Sequence, residues 1–152
     1  MTIKAKYVHT NLIAEDWRRL AGFYQEVFGC IPLPPERDFQ GETLEAGTGI
    51  PGAHLRGIHL LLPGYETLEP TLEIFSYSPP ASRSSSEVNR PGFAHIAFQV
   101  EDVSAARTAV LAAGGKSVGE VVSLAIATGA RVTWCYLADP EGNLIELQSW
   151  AK

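Results

Sequence analysis

The sequence predicts an α+β fold, built as two tandem βαβββ modules. Three observations predict it: strand-like stretches with alternating apolar residues, one helical pattern early in each half, and a second half that repeats the first. The 152 residues suit a single domain, since domains of about 100–150 residues are the commonest. Within this domain (1–152) we place module one at about 1–78, a linker at about 79–92 and module two at about 93–152.

Module one is expected to contain a helix directly after its first strand. Apolar residues recur at three- and four-residue steps from Trp17 to Phe28, as one face of a helix requires. Asp16 suits the N-cap of this helix and Gly29 its C-terminal end. The strands of this module are predicted at residues 4–12, 30–33 (closed by Pro34), 55–62 and 71–77, with the Gly-rich stretch 39–54 irregular.

Module two is expected to repeat this order after an exposed linker. Residues 79–92 are rich in Pro, Ser and Arg and contain few apolar residues, which is typical of a linker. Asp102 suits the N-cap of a second helix that reaches Ala113, and Gly114 suits its end. The strands of this module are predicted at residues 93–100, 118–125, 132–138 and 143–150.

The repeat places chemically unusual residues at equivalent positions in the two halves. His9 and His95 each precede the capping aspartate of their half by seven residues, and Glu73 and Glu146 lie in the last strand of each half. Because side chains alternate between the faces of a strand, all four are predicted on the face opposite the helices. A carboxylate on a partly enclosed face is costly unless it is paired or binds a metal. Imidazole and carboxylate ligands together suit Zn²⁺, Ni²⁺, Co²⁺, Mn²⁺ or Fe²⁺, so we predict a divalent-metal site.

Composition argues against several other classes of function. Lys and Arg number 12 against 17 Asp and Glu, and this net charge of −5 does not favour sequence-independent binding of nucleic acid. The longest apolar run, residues 58–63, is far shorter than the roughly 20 residues that span a bilayer, so no membrane partner is expected. Cys30 and Cys135 lack CxxC spacing, and we expect them to be buried free thiols of a cytoplasmic protein.

Four segments carry a resemblance to a known family: HTNLIAEDWRRLAGFYQEVFG (9–29), TLEIF (71–75), GFAHIAFQVEDV (92–103) and DPEGNLIEL (139–147). Together they resemble the vicinal oxygen chelate superfamily, which includes glyoxalase I, extradiol dioxygenases, and fosfomycin and bleomycin resistance proteins. The resemblance implies that the paired modules form an open, cupped mixed sheet around one divalent metal ion per site. By position it implies His9, Glu73, His95 and Glu146 as metal ligands. This set is similar to that of bacterial glyoxalase I (lactoylglutathione lyase).

The resemblance implies a metal-dependent, glyoxalase-like lyase or isomerase that acts through an enediolate on a small oxygen-chelating substrate. Glu146 and Glu73 are the candidate catalytic bases, and the choice between them stays open at this stage. The identity of the metal also stays open, among Ni, Zn, Co, Mn and Fe. The protein is expected to form a homodimer, with the site either within one chain or across the dimer interface.

Two alternatives remain open. One is an Fe(II)-dependent extradiol-type dioxygenase or a metal-dependent group transferase, and the other is a resistance protein that binds a small molecule without turnover. Candidate substrate contacts are His59, Phe75, Tyr77 and Trp150, which share the face of the ligands, and Arg56, which suits an anionic group. The sequence identifies neither the substrate nor a role for glutathione or CoA.

Overall fold

The structure is a computed structural model that describes residues 1–151. It confirms the α+β class, with mixed strands in two sheets. The elements in chain order are β1 (His9–Ile13), α1 (Trp17–Phe28), β2 (Ile31–Gln40), α2 (Glu42–Thr48), β3 (His54–Leu61), β4 (Thr71–Ser78), β5 (His95–Gln99), α3 (Val103–Ala112), β6 (Lys116–Ser117), β7 (Val122–Ala125), β8 (Arg131–Ala138) and β9 (Leu144–Ala151).

The chain divides into two compact units, Met1–Ser82 and Arg83–Lys152. The division lies inside the stretch 79–92, which contains no helix or strand. Each unit has its own sheet, so each is described by itself below.

Helix α1 of the first unit begins and ends at the predicted residues. The Asp16 side chain accepts a hydrogen bond from the backbone N–H of Arg19 at 3.1 Å, which satisfies one donor of the first turn. Gly29 ends the helix in the left-handed conformation, with φ 68°, which glycine adopts without strain. The side chains that α1 buries are those of Trp17, Leu20, Ala21, Phe23 and Tyr24.

The sheet of the first unit has the strand order β1-β4-β3-β2, in which β1 runs parallel to β4 and the other pairs are antiparallel. The prediction that β2 stops at Pro34 is wrong. The pairing of β2 with β3 shifts register between Leu33 and Arg37 and then continues to Gln40. Both Pro34 and Pro35 lie in this irregularity on an edge strand, where the N–H that proline lacks is not needed for pairing.

The second correction concerns the stretch 39–54, which was expected to be irregular. Residues 42–48 form the short helix α2, and Gly49 ends it with φ 71°. None of the residues of α2 is buried, so the helix has no apolar face that a sequence pattern could reveal.

The second unit repeats the strand order as β5-β9-β8-β6, with β7 also paired to β8. Strand β5 is parallel to β9, as β1 is to β4. The Asp102 side chain caps α3 by accepting from the backbone N–H of Ala105 at 2.9 Å. Of the strand predicted at 118–125, only Val122–Ala125 is a strand, β7. The short strand β6 precedes the predicted range, and β6 and β7 pair with opposite ends of β8.

Both cysteines are buried free thiols, as predicted. Burial raises the pKa of Cys30 to about 11 and also raises the pKa of Cys135. A thiol with so high a pKa carries little thiolate at neutral pH, so neither cysteine has the properties of a nucleophile. Within residues 1–151, no helix is long and apolar enough to cross a membrane.

Candidate functional site

Four polar side chains of the first unit share one face of its sheet. His59 on β3 is the register partner of Glu73 on β4, and Asn11 on β1 is the partner of Glu73 on the other side. His9 lies two residues before Asn11 and therefore on the same face. Ser76 lies three residues after Glu73 on β4, so its side chain is on the opposite face of the sheet. Because the Ser76 hydroxyl accepts a hydrogen bond from the backbone N–H of Trp17 at 3.2 Å, helix α1 covers that opposite face.

These four residues, His9, Asn11, His59 and Glu73, form what we call the first cluster. The Nε2 atom of His59 lies 2.9 Å from Oε1 of Glu73. The other carboxylate oxygen, Oε2, lies 3.2 Å from Nε2 of His9. The same oxygen accepts a hydrogen bond from Nδ2 of Asn11 at 3.3 Å. Both oxygens of Glu73 therefore have partners.

Burial explains why the Glu73 carboxylate requires these partners. The residue is 8% exposed, and an ionised carboxylate taken out of water is costly unless hydrogen bonds or opposite charges compensate it. Burial also lowers the pKa of His59, more than the Glu73 charge raises it, and the charges of Arg37 and His9 lower it further. A neutral His59 still binds Glu73, because its Nε2–H donates to a carboxylate that can only accept.

The second unit holds a simpler arrangement, which we call the second cluster: His95, Trp134, Tyr136 and Glu146. The Nε2 atom of His95 lies 2.9 Å from Oε2 of Glu146. Tyr136 on β8 is the register partner of Glu146, so it takes the place that His59 has in the first unit. Its ring centroid lies 5.0 Å from that of His95, and the Trp134 ring lies 5.0 Å from Tyr136. Aromatic rings thus border the pair where the first unit has hydrogen-bond donors.

The structure brings some of the predicted substrate contacts to these clusters. The ring of Phe75 lies 5.7 Å from the ring of His59, centroid to centroid. Tyr77 lies two residues further along β4, on the same face. In the second unit, Trp150 shares a face with Glu146 but is half exposed, and its Nε1 donates to Gln148 at 2.9 Å.

Arg56 is not brought to the first cluster. Its register partner is Ser76, whose hydroxyl contacts the residues around the start of α1. Arg56 therefore lies on the helix-facing side of the sheet, where it is exposed. Arg56 and Glu73 thus belong to opposite faces of the sheet, which argues against a role for Arg56 in binding substrate beside Glu73.

Sequence reasoning missed two contributors to the first cluster. Asn11 follows His9 by two residues, and this period could have identified it as a partner on the same face. Gly57 lies opposite Phe75 in the β3–β4 pairing. A Cβ atom there would lie 2.1 Å from the backbone oxygen of Ile74 and 2.4 Å from a ring carbon of Phe75, so only glycine fits. A glycine inside an apolar strand is the signal for such a close approach.

The donor atoms of each histidine–glutamate pair suit a divalent metal by their chemistry and spacing. Neighbouring ligands with bonds of about 2.1 Å at right angles to each other lie about 3 Å apart. The His9–Glu73 and His95–Glu146 contacts, at 3.2 Å and 2.9 Å, are compatible with that separation and are also hydrogen-bond distances. Among residues 1–151, no three or more His, Cys, Asp or Glu side chains are already grouped to hold a metal. In the first cluster, the two imidazoles contact different oxygens of the carboxylate.

Comparison with protein families gives one match that spans most of the chain. The model described as Glyoxalase/Bleomycin resistance protein/Dioxygenase superfamily matches residues 6–147. No curated protein matches the sequence.

Solved structures share the fold over nearly the whole chain. A glyoxalase family protein from Bacillus cereus is 21% identical, with a TM-score of 0.81 and coverage of 99% of this chain and 97% of that one. A glyoxylase/bleomycin resistance protein/dioxygenase domain from Frankia sp. EAN1pec is 14% identical, with a TM-score of 0.62 and coverage of 99% and 95%. The fosfomycin resistance protein FosX from Listeria monocytogenes, complexed with Mn(II) and 1S,2S-dihydroxypropylphosphonic acid, is 19% identical, with a TM-score of 0.55 and coverage of 97% and 93%.

Proposed function

The chain belongs to the glyoxalase/bleomycin resistance protein/dioxygenase superfamily, and from that membership we propose that it is a divalent-metal-dependent lyase or isomerase of the glyoxalase type. Its substrate would be a small molecule with two neighbouring oxygens. The observation that carries the proposal is the enclosed Glu73 carboxylate beside His9, with His95 and Glu146 paired at the equivalent place of the second unit.

His9, Glu73, His95 and Glu146 are the proposed ligands of the metal. Two imidazole nitrogens and two carboxylate oxygens are a set that suits Zn, Ni, Co, Mn or Fe. When bound, the ion would supply Lewis-acid chemistry. That the structurally similar FosX was crystallised with Mn(II) supports the choice of a divalent ion.

Glu146 is the proposed general base, with Glu73 as the second candidate. Both oxygens of Glu73 already have partners, whereas His95 engages Glu146 at Oε2. The second oxygen of Glu146, Oε1, is therefore better placed to take a proton from the carbon beside the substrate oxygens and to return it to the neighbouring carbon.

Other parts of the proposal concern the environment of the reaction. Phe75 and Tyr77 would form an apolar wall for the substrate beside the first cluster. We propose a homodimer as the active form, and the free thiols of Cys30 and Cys135 support a reducing, cytoplasmic setting.

A second candidate function is an Fe(II)-dependent dioxygenase or a metal-dependent group transferase. What favours it is the chemistry of the proposed ligands, because His9, His95 and Glu146 are two imidazoles and one carboxylate, the ligand types of non-haem Fe(II) oxygenases. Oxygen consumption by the iron-loaded protein would support this candidate over the isomerase. A resistance protein without turnover would instead bind its ligand tightly and release it unchanged.

The test is the metal content of the purified protein, followed by a substrate screen of the metal-loaded form. We expect one ion per site, and we expect the His9→Ala and Glu146→Gln variants to lose metal and activity while remaining folded. His54→Ala is the matched control, because His54 also pairs with a carboxylate, that of the exposed Asp38. Full metal content in either ligand variant would refute the assignment of that residue.

A further inference from the structure

We infer that His59 is a positioning residue, which fixes the carboxylate of Glu73 for metal binding by donating a hydrogen bond from Nε2 to Oε1. The inference rests on the proposed function and deepens it, because it adds a residue outside the ligand set. According to this inference, the carboxylate of the first unit is held in a single orientation, and that of the second unit is not.

The first step is the direction of the hydrogen bond. His59 and Glu73 face each other across the β3–β4 pairing, with Nε2 2.9 Å from Oε1. An ionised carboxylate has no proton to give, so Nε2 must carry the hydrogen. In the metal-free chain His59 is therefore a donor to Glu73, and His9 and His95 contact their carboxylates in the same way. His59 differs from them because it contacts the other oxygen, Oε1, and because Tyr136 takes its place in the second unit, so that His59 lies outside the repeated histidine–glutamate pairs.

The second step is the restraint on the imidazole itself. The side chain of His59 is 21% exposed, and the ring of Phe75 packs against it at 5.7 Å between centroids. Phe75 can take this position because Gly57, its partner on β3, has no side chain. A Cβ at Gly57 would lie 2.4 Å from a ring carbon of Phe75. Gly57 and Phe75 thus hold His59 in place, and His59 in turn holds Glu73.

The third step is that the two carboxylate oxygens of Glu73 have different partners. His9, a proposed ligand, and Asn11 both contact Oε2, while His59 contacts Oε1. Removal of His59 would leave Oε1 of an enclosed carboxylate without this donor, and the carboxylate would be free to turn. Outer partners that orient a metal ligand typically affect metal affinity by about 10–100-fold.

The second unit supplies an internal comparison for this role. Tyr136 stands where His59 does, but its ring packs on His95, and the contact of Glu146 is with His95. The positioning contact is therefore not a general requirement of the fold. It belongs to the first cluster, where the carboxylate is the more enclosed of the two.

The experiment is a titration of the full-length, metal-free protein with Co²⁺ alone, followed by its visible absorption spectrum. We expect His59→Leu to bind Co²⁺ about 10–100-fold more weakly than the unaltered protein. His59→Gln should recover most of the affinity, because the glutamine amide carries an N–H near the position of Nε2. The Co²⁺ bands should keep their wavelengths in every variant, since no ligand is lost. His54→Leu, on the same strand, is the control and should leave the affinity unchanged.

Other results would overturn the inference. If His59→Leu binds Co²⁺ as tightly as the unaltered protein, His59 has no positioning role. If the bands shift in both His59 variants and glutamine does not restore affinity, His59 is a ligand. His59→Asn provides a second, polar test should the leucine variant fail to fold, because its amide is too short to reach Oε1 and the same loss is expected. If the unaltered protein binds no divalent metal, the proposed function and this inference both fail. If it binds metal and His59→Leu does so equally well, the inference alone fails.

Discussion

The two units use the same strand order to pair a histidine with a glutamate, yet they surround the two carboxylates differently. In the first unit, Glu73 contacts His9, His59 and Asn11. In the second unit, Glu146 contacts His95, and Ala97 and Tyr136 occupy its register positions. The repeat thus preserves the backbone and the pair while the flanking side chains differ.

The differing positions follow a pattern. Where the first unit has the small Gly57, the second has the large Trp134, and where the first has Phe75, the second has Gln148. The first cluster is therefore built around hydrogen-bond donors on both carboxylate oxygens, and the second around tilted and edge-to-face rings beside a single pair. The comparison indicates one carboxylate held fixed and one with an oxygen available for proton transfer.

The largest expected effect tests this asymmetry directly. Per bound metal ion, Glu146→Gln should reduce turnover about 10²–10⁴-fold, because a carboxamide cannot accept the substrate proton. Glu73→Gln should reduce it less, since the amide oxygen can still accept the hydrogen bond from His59 and still bind a metal. The measurement is the turnover number of each variant with the substrate found in the metal-loaded screen.

Metal content measured in the same samples is the control for that comparison. Equal losses of turnover per bound metal ion in the two variants would contradict the unequal roles. A larger loss in Glu73→Gln would reverse the assignment and make Glu73 the base.

The two main helices offer the next comparison. Helix α1 buries five side chains, whereas α3 buries Val103 and Val110. Leu20→Ala in α1 should lower the free energy of unfolding by about 2–5 kcal/mol, and Val110→Ala in α3 by about 1–3 kcal/mol, because fewer methyl groups are removed. Both side chains are fully buried. Urea denaturation measures the two losses.

A variant on the exposed side of α3 sets the baseline for these measurements. Ser104→Ala should change the free energy of unfolding by no more than about 0.5 kcal/mol. A Val110→Ala loss as large as that of Leu20→Ala would show that the second unit depends on its helix as strongly as the first does.

The close approach at Gly57 distinguishes the first unit from the second. Gly57→Ala should destabilise the protein by about 1–3 kcal/mol, since the added Cβ would meet the backbone oxygen of Ile74 and the ring of Phe75. Gly22→Ala is the matched control, because Gly22 lies inside α1 with open space around it, and alanine is there expected to stabilise by about 0.5–1 kcal/mol. A neutral Gly57→Ala would mean that the strand pair shifts freely.

Local signals in the sequence were sufficient for much of the fold. The caps at Asp16 and Asp102 were predictable because an N-cap depends on a few neighbouring residues. The course of β2 was not, because proline ends a regular strand but is tolerated at a register shift on an edge. Whether a strand lies at an edge is set by the whole sheet.

The candidate site likewise has features that the sequence predicts and features that it does not. Alternation along a strand predicts which side chains share a face, and it correctly predicted that Glu73 and His59 lie on the same face. The same rule places Arg56, three residues before His59, on the opposite face, so charge alone was a poor reason to select it. That His59, His9 and Asn11 meet on one carboxylate depends on the register between β1, β3 and β4, which a single sequence does not contain.

The smallest expected effects concern the feature in which the two units agree most closely. Asp16 and Asp102 cap their helices through hydrogen bonds of 3.1 Å and 2.9 Å to the backbone N–H three residues on. Asp16→Ala and Asp102→Ala should each lower the free energy of unfolding by about 1 kcal/mol, because each leaves a first-turn donor without its partner. Asparagine at either position keeps an acceptor oxygen and should recover most of the loss in thermal or urea denaturation. A clearly larger effect at Asp16 would show that the first unit, which holds the more enclosed carboxylate, also depends more on the start of its helix.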